Sequence, residues 1–192
     1  MILAIANLKG GAAKTTTAVY LAHALGATLV DADPQASALG WSEAAAADRK
    51  PLDLEVVHLP TPQLAARLPH RERIVIDCSP RDHAITDAAM AAADLVLVPT
   101  ATTTADMDRT WATLDLAHKL GRTTAVLLVR VRLGTRSLAY ALDALVAEEV
   151  LVLRTRIPQR EVLAAAWGRP IDRYYGYELV AAEVKEILNG RR

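Results

Sequence analysis

The sequence contains one cysteine and no long apolar run, and each fact excludes a class of protein. Because Cys78 is alone among 192 residues, the chain has no internal disulfide and no zinc site or iron–sulfur cluster built from its own cysteines. The five histidines have no metal-ligand spacing. No apolar run reaches the roughly 20 residues that cross a bilayer, and the N-terminus lacks a signal-peptide pattern. We therefore expect a cytoplasmic protein that starts directly on its first strand.

The chain also lacks net charge, because 22 Lys and Arg balance 22 Asp and Glu. This balance hides a polarity along the chain. Residues 1–121 hold 10 basic and 14 acidic residues, whereas residues 122–192 hold 12 basic and 8 acidic residues, and most of those basic residues are arginine. A chain with 52% hydrophobic and 23% charged residues folds, and its length fits one domain. We predict a single domain over residues 1–192.

Apolar runs and helical patterns alternate along the chain, which predicts an α/β protein with a mostly parallel twisted sheet and helices on both faces. Continuous apolar runs predict buried strands at Ile2–Ala6, Thr28–Val30, Ile74–Ile76, Leu95–Val98, Thr124–Val129 and Val150–Leu153. A helical period predicts helices at Thr16–Leu25, Gln35–Ala45, Ile85–Ala92, Met107–Leu120, Ser137–Val146 and Leu179–Leu188, with a short helix between Pro60 and Pro69.

The loop after the first predicted strand has the composition of a phosphate-binding loop. It reads Lys9-Gly10-Gly11-Ala12-Ala13-Lys14-Thr15-Thr16 and leads into the first predicted helix. The backbone N–H groups of such a loop converge with a helix N-terminus and favour a polyanion. Lys14 would reach the β- and γ-phosphates of a nucleotide, and the Thr15 hydroxyl would ligate Mg²⁺. The standard pattern G-x-x-x-x-G-K-[ST] is not met, because Leu8 and Ala13 replace its glycines.

Carboxylates follow two further apolar runs. Asp31 and Asp33 end the second predicted strand in the sequence Asp31-Ala32-Asp33-Pro34-Gln35, and at strand spacing they would project to one face. Asp77 ends the strand that begins after Arg73. Ligands of open α/β sheets bind at the carboxyl ends of the strands, so these carboxylates are expected beside the phosphate-binding loop. Pro34 is expected to stop its strand and start the next helix.

Together these motifs resemble those of the ParA/MinD family of ATPases. The pattern K-G-G-x-x-K-T-T resembles the deviant Walker A box of that family, D-x-D-P-Q resembles its Walker A′ box, and the strand ending in Asp77 resembles its Walker B segment. The segment from Cys78 to Asp87 resembles the region that responds to the γ-phosphate. The resemblance covers nearly the whole chain and is strongest to short plasmid-type ParA proteins, which implies a P-loop NTPase fold of the ParA (SIMIBI) type.

The resemblance implies roles for individual residues. Lys9 would reach across a dimer interface to the nucleotide of the partner subunit, and Asp33 would help position the attacking water. Asp31 would support the end of the site where Thr15 meets Mg²⁺, and Asp77 would organise Mg²⁺. The other implied contacts to ATP or ADP come from Gly10, Gly11, Ala12, Ala13, Thr16, Pro158 and Gln159.

ParA relatives form ATP-dependent homodimers that bind DNA without reading its sequence and hydrolyse ATP when a ParB-type centromere-binding protein stimulates them. The resemblance therefore implies an ATPase that drives plasmid or chromosome segregation on the nucleoid, with no membrane partner. Clustered arginines suit this role because they neutralise DNA phosphates. The candidates are Arg130, Arg132, Arg136, Arg154, Arg156 and Arg173. Alternatively, several of them form surface salt bridges with Glu148, Glu149, Glu161 and Asp172.

Other functions share parts of these motifs. A MinD-like positioning ATPase ends in an amphipathic basic helix that lies on a bilayer, whereas Val184–Arg192 has the pattern of a packed helix ending near a glycine. A biosynthetic ligase of the dethiobiotin synthetase type uses a similar nucleotide fold but lacks a counterpart of Lys9 and the D-x-D-P-Q sequence. Iron–sulfur relatives such as the nitrogenase iron protein need several cysteines to hold their cluster, and this chain has only Cys78. A further alternative is a nucleotide-sensing protein with negligible ATP turnover, because Ala13 replaces a glycine of the phosphate-binding loop.

Overall fold

A computed structural model describes residues 1–190; Arg191 and Arg192, which contribute to the basic second part of the chain, lie outside the described residues. Strands and helices alternate almost throughout. The strands are β1 (Ile2–Ile5), β2 (Thr28–Asp31), β3 (Val56–His58), β4 (Ile74–Asp77), β5 (Leu95–Thr100), β6 (Thr124–Val131) and β7 (Ile157–Pro158). The helices are α1 (Lys14–Leu25), α2 (Ser37–Ala47), α3 (Leu64–Arg67), α4 (His83–Ala92), α5 (Thr104–Lys119), α6 (Arg136–Ala147), α7 (Glu161–Ala164) and α8 (Tyr177–Asn189).

The strands form one parallel sheet in the order β3-β2-β4-β1-β5-β6-β7, which confirms the predicted α/β fold. The strand β4 lies between β1 and β2. Its last residue, Asp77, is in register with Ile5 of β1 on one side and with Asp31 of β2 on the other. The carboxyl ends of these three strands therefore meet at one edge of the sheet, directly below the loop that follows β1.

Alternate strand residues face two separate hydrophobic cores. In β1, Leu3 and Ile5 are fully buried among side chains of α1, α2 and α8. Ala4 lies on the opposite face, among side chains of α4, α5 and α6. Because both faces are covered, the strands are nearly continuously apolar, and helices occupy both faces as predicted.

The C-terminal helix α8 packs on α1. Its first residue, Tyr177, is buried and stacks on Tyr20 at a ring-centroid distance of 5.0 Å. The Tyr177 hydroxyl lies 3.2 Å from Thr17 Oγ1. Val180 and Val184 are also buried in this contact. The apolar face of α8 is therefore covered by the core, and within residues 1–190 no helix is both long and apolar enough to cross a membrane.

The predicted strand Val150–Leu153 is wrong as an extended element. Only Val152 bridges to β6. Around this bridge the Val126 N–H donates to the Leu151 carbonyl at 2.8 Å and the Leu153 N–H donates to the Val126 carbonyl at 2.9 Å. The N–H groups of Arg154 and Thr155, after Leu153, donate to the Glu183 carboxylate at 2.7 and 2.8 Å instead of to β6. Pairing resumes at β7, whose two residues are too few to give a sequence pattern. The short edge strand β3 was missed for the same reason.

The prediction that Pro34 starts the second helix is also wrong. The segment after Asp33 forms a turn, in which the Ala36 backbone N–H donates to the Asp33 carbonyl at 2.9 Å. Ala36 then adopts a left-handed conformation with φ 52°, and α2 begins only at Ser37. The beginning of α2 is fixed by the Asp31 carboxylate, which accepts hydrogen bonds from its first turn.

Candidate functional site

The loop between β1 and α1 borders a cavity of about 280 Å³, which we name the loop pocket. It lies at the edge of the sheet where β1, β2 and β4 end. Its walls combine the loop itself with residues from four other places in the fold. The lining residues are Gly11, Ala12, Ala13, Lys14, Thr15, Thr16, Asp33, Ser37, Pro80 and Arg130.

Ala13 occupies the N-cap position of α1 in a left-handed conformation, with φ 61° and ψ 27°. Its carbonyl accepts a hydrogen bond from the Thr17 N–H at 2.9 Å, so the first turn of α1 depends on this conformation. A residue with a Cβ pays about 1–2 kcal/mol to adopt it, whereas glycine does so freely. The second glycine of the standard phosphate-loop pattern therefore corresponds to a strained alanine in this chain.

We expect Ala13→Gly to raise the free energy of unfolding by about 1 kcal/mol, because the left-handed strain is relieved. Urea unfolding without ligand measures the change. Ala24, in the right-handed part of α1, supplies the matched control: Ala24→Gly should lower the free energy of unfolding by about 1 kcal/mol. A lower stability in both variants would contradict the strain at Ala13.

Lys14 is buried at the base of the loop. Its ammonium donates to the Lys9 carbonyl at 3.1 Å, which ties the two ends of the loop together. Burial lowers the pKa of Lys14, and the negative charges of Asp77 and Asp33 act in the opposite direction. Lys14 thus lies close to both carboxylates and lines the loop pocket.

Lys9 pairs with a carboxylate of its own chain. Its ammonium contacts Asp106 in the first turn of α5, and the Thr103 hydroxyl donates to the other Asp106 oxygen at 2.5 Å. Burial alone would raise the pKa of Asp106, but the hydrogen bonds from Lys9 and Thr103 outweigh it and hold the pKa below its usual value. The sequence analysis missed Asp106. The pattern T-x-x-D from Thr103 to Asp106 is a helix-start signal that could have drawn attention to it.

Asp31 is fully buried, and both its oxygens accept hydrogen bonds from the chain. Oδ1 accepts from the Asp33 N–H at 3.1 Å, and Oδ2 accepts from the N–H groups of Ala38 and Leu39 at 2.9 Å each. Burial raises the pKa of Asp31, and these backbone hydrogen bonds oppose the rise. Asp31 therefore shapes the turn that carries Asp33, a contribution that the sequence motif did not reveal.

Asp77 is buried and lacks a well-formed hydrogen bond to either carboxylate oxygen from any donor in residues 1–190. Burial raises its pKa to about 7, although the nearby Thr15 hydroxyl and Lys14 ammonium act to lower it. Unpaired buried carboxylates are costly and rare. Asp77 therefore presents two buried acceptor oxygens without a well-formed hydrogen bond, close to Thr15 and Lys14.

The residues around Asp77 fit a bound Mg²⁺. The Thr15 hydroxyl and the Asp77 carboxylate are hard oxygen donors of the type that this cation prefers. Nowhere in residues 1–190 do three or more His, Cys, Asp or Glu side chains form a metal-binding group. Such a sparse set suits Mg²⁺, which keeps several waters and takes other ligands from nucleotide phosphates. When bound, the cation neutralises negative charge on the phosphates.

A larger cavity of about 650 Å³, which we name the β6–β7 pocket, adjoins the loop pocket. It shares Ala13, Thr16 and Arg130 with the loop pocket. Pro158 and Gln159, the predicted base contacts, both line it. Apolar side chains beside a few polar groups are typical of a site for a planar heterocycle. The loop predicted to bind phosphates and the residues predicted to contact the base are far apart in the sequence. In the structure they line adjoining cavities.

A third cavity, of about 720 Å³, shares Gly11, Asp33, Ser37 and Pro80 with the loop pocket, and we name it the Asp33 pocket. It is lined by Gly10, Gly11 and Asp33, and also by the segment from Ser79 to His83. That segment is ordered by Ser79, whose hydroxyl accepts from the Arg81 N–H at 3.2 Å. Cys78, which precedes this segment, is buried, and burial raises the pKa of its thiol, as is typical of a packing residue.

The six candidate arginines differ in their surroundings. Arg154 pairs with Glu183 and Glu186, and Arg132 donates to the Gln159 side chain at 2.9 Å. The Arg173 guanidinium lies 5.4 Å from the Tyr175 ring centroid. The other three, Arg130, Arg136 and Arg156, are exposed and make neither ion pairs nor side-chain hydrogen bonds within residues 1–190. The alternative partners Glu148, Glu149, Glu161 and Asp172 form no salt bridge in this part of the chain.

Comparisons with known proteins identify relatives of this chain. The model of the CobQ/CobB/MinD/ParA nucleotide-binding domain family matches residues 3–171. A maintenance of carboxysome distribution protein A from Gloeobacter kilaueensis is 35% identical over 205 aligned positions, which cover 99% of this chain and 85% of that protein.

Two solved structures show the same fold. A variant of McdA from Cyanothece in complex with ATP matches with a TM-score of 0.78 and 22% identity, over 98% of this chain and 96% of that one. Cobyrinic acid a,c-diamide synthase from Mycobacterium smegmatis, with bound ADP and magnesium, matches with a TM-score of 0.71 and 21% identity. It covers 100% of this chain and 96% of that one.

Proposed function

The chain belongs to the CobQ/CobB/MinD/ParA family of nucleotide-binding domains and is an ATPase of the ParA/MinD type. On this premise we propose that it positions a large cargo on DNA. ATP binding would join two copies into a dimer, the dimer would bind DNA without reading its sequence, and partner-stimulated hydrolysis would release it. The cargo would be a plasmid or chromosome carrying a ParB-type protein. Such a protein would be found on the nucleoid.

One observation carries the ATPase part of this proposal. The loop pocket combines a phosphate-type loop with the buried ammonium of Lys14 and with Thr15, and the unpaired carboxylate of Asp77 lies close to both of these side chains. A polyanion with its cation would satisfy all of these groups at once. Asp33 lines the same pocket and is half-buried, so its carboxylate is available to orient a water molecule there.

The dimer part of the proposal depends on Lys9. Its ion pair with Asp106 occupies the ammonium within one chain, whereas the trans role requires the ammonium to reach the nucleotide of a second copy. We therefore propose that dimerisation exchanges the Asp106 carboxylate for nucleotide phosphate as the partner of Lys9. A cation that compensates charge on the transferred phosphoryl group from a second protein can raise hydrolysis by several orders of magnitude.

A second candidate cargo comes from the relatives. The similar protein from Gloeobacter kilaueensis is named for carboxysome distribution, so a protein-bounded assembly is an alternative to a plasmid. The nucleotide switch and DNA binding would be unchanged, and only the partner protein would differ. Positioning on a membrane is less well supported, because the apolar face of α8 is covered by α1.

Sedimentation on non-specific duplex DNA tests the proposed function. The protein should pellet with DNA in ATP but not in ADP or without nucleotide, and retention should fall steeply as salt is raised. Size measurement of the same samples should show a dimer in ATP only. Dimerisation without DNA retention would favour a protein scaffold, and equal retention in all three states would contradict the switch.

The exposed, unpaired Arg136 and Arg156 are the candidates that we expect to matter most for DNA. Arg136→Ala and Arg156→Ala should each weaken DNA retention in ATP and reduce the slope of log affinity against log salt by about 1, because each loses one phosphate contact. Arg71 is the matched control, since its guanidinium is already paired with Glu55 at 3.0 Å. If Arg71→Ala weakened retention as much as the other two, the assignment would be wrong.

A further inference from the structure

Arg130 lies next to the nucleotide site, and its backbone is strained there. It is the seventh residue of β6 and has φ 53°, a left-handed conformation that is unusual for a residue with a side chain inside a strand. The pairing of β6 with β7 shifts register at this point, between Val129 and Val131. Strain of this kind persists only where the surrounding structure imposes it, and it often marks a functional position.

The side chain of Arg130 lines two cavities at once. It contributes to the loop pocket together with Lys14 and Thr15, and to the β6–β7 pocket together with Pro158 and Gln159. Among the residues that line these two cavities, only Ala13 and Thr16 also line both. Arg130 therefore faces the junction between the two pockets.

The guanidinium also lacks a partner of its own. Within residues 1–190 Arg130 makes no ion pair and no side-chain hydrogen bond, whereas Arg132, two residues later, donates to Gln159. Arg130 is close enough to Tyr177 for its positive charge to act against the burial that raises the pKa of that hydroxyl to about 12. An unpaired guanidinium with five donors in a planar fork matches a phosphate group in charge and shape.

Given the proposed function, we infer that Arg130 binds the nucleotide in its own subunit, at the α-phosphate and ribose, and does not contact DNA. The loop pocket takes the phosphates and the β6–β7 pocket takes the base, so the part of the nucleotide between them lies at the junction. The register shift in β6 turns Arg130 out of the strand pattern and toward this junction. ATP and ADP share this part of the molecule, so Arg130 contributes equally to both.

Titration calorimetry with Mg·ADP and with Mg·ATPγS tests the inference. Arg130→Ala should weaken both ligands roughly 10-fold, as expected for loss of a charge-assisted hydrogen-bonded pair. Arg132→Ala is the matched control, since Arg132 lines only the β6–β7 pocket, and its effect should be smaller. Unchanged ADP affinity in Arg130→Ala would overturn the inference, as would a loss confined to ATPγS, because that result would assign the side chain to the γ-phosphate.

A second variant separates ligand binding from a structural role. Arg130→Gly removes the side chain and relieves the left-handed strain, so the urea midpoint of the ligand-free protein should rise while Mg·ADP affinity falls. Glu149 has the same φ of 53° but lies outside the three site pockets, so Glu149→Gly should raise the midpoint and leave ADP affinity unchanged. A lower midpoint in Arg130→Gly would show a structural role and contradict the inference.

DNA sedimentation of Arg130→Ala distinguishes this inference from the proposed function. At saturating ATP the variant should bind DNA like the unaltered protein, because only nucleotide affinity is reduced. Loss of DNA retention at saturating ATP would indicate that Arg130 contacts DNA. This result would overturn the inference about Arg130 and leave the proposed function unaffected. If the unaltered protein bound no nucleotide, the proposed function itself would fail.

Discussion

Lys9→Ala should bind ATP with nearly unchanged affinity but hydrolyse it about three orders of magnitude more slowly. The reason is that Lys9 does not line the loop pocket of its own subunit, whereas the proposed trans role would supply charge to the transferred phosphoryl group in the partner subunit. Single-turnover hydrolysis and calorimetric ATP binding measure the two effects separately. Lys14→Ala is the contrasting variant and should lose phosphate binding itself, because Lys14 lies beneath the loop.

Full turnover by Lys9→Ala would contradict the trans role. Slow hydrolysis by Lys9→Ala would also be expected if Lys9 acted only by stabilising its own subunit through the ion pair with Asp106. Asp106→Asn tests this alternative explanation, because it breaks the ion pair and leaves Lys9 in place. If the two residues merely stabilise each other, both variants should slow hydrolysis alike. If dimerisation must release Lys9, Asp106→Asn should form dimers at lower ATP concentration.

Asp77→Asn should stabilise the ligand-free protein at pH 8 by about 2 kcal/mol, because asparagine is uncharged and folding no longer has to bury a carboxylate charge without a partner. The pKa of Asp77 is raised from 3.8 to about 7 by burial, so the folded chain holds the proton more tightly than the unfolded chain does. Stability should therefore fall as pH rises from about 4 to 7, and this fall should be smaller in Asp77→Asn.

Urea unfolding at pH 4 and pH 8 measures this effect, and the stability difference between Asp77→Asn and the unaltered protein should disappear near pH 4. The same substitution should remove most of the Mg²⁺ dependence of ADP affinity, since asparagine is a poorer ligand for the cation. Asp33→Asn is the matched control, because Asp33 is half-buried and its Oδ1 accepts from the Gln35 N–H. Destabilisation of Asp77→Asn at pH 8 would contradict an unpaired carboxylate.

The sequence predicts the central strands because these strands are buried on both faces. Continuous apolar runs identify β1, β2, β4, β5 and β6, and the motifs at their carboxyl ends place the loop, Asp31 and Asp77 together. The outer strands β3 and β7 are too short to give a pattern. The predicted strand at Val150–Leu153 is reduced to one bridge to β6, at Val152, and it is not extended because the Glu183 carboxylate accepts the next N–H groups, those of Arg154 and Thr155.

The contacts that decide how the site works were not predictable, because they join distant parts of the chain. The Lys9–Asp106 pair spans 97 positions, and no local pattern links its two members. The hydrogen bonds of Asp31 depend on a left-handed Ala36 that propensity alone would not suggest. Composition groups Arg130 with the DNA candidates, whereas the structure places it, with its strained backbone at the register shift, in the walls of both the loop pocket and the β6–β7 pocket.

Mixing two inactive variants tests the central claim most directly. In a mixed dimer of Lys9→Ala and Asp33→Ala, the site in the Lys9→Ala subunit has its own Asp33 and receives Lys9 from the other subunit. If Lys9 acts in trans, an equal mixture should recover roughly a quarter of the original ATPase rate, because half of the dimers are mixed and each has one complete site. A mixture as inactive as its components would show that Lys9 acts within its own subunit and would contradict the account.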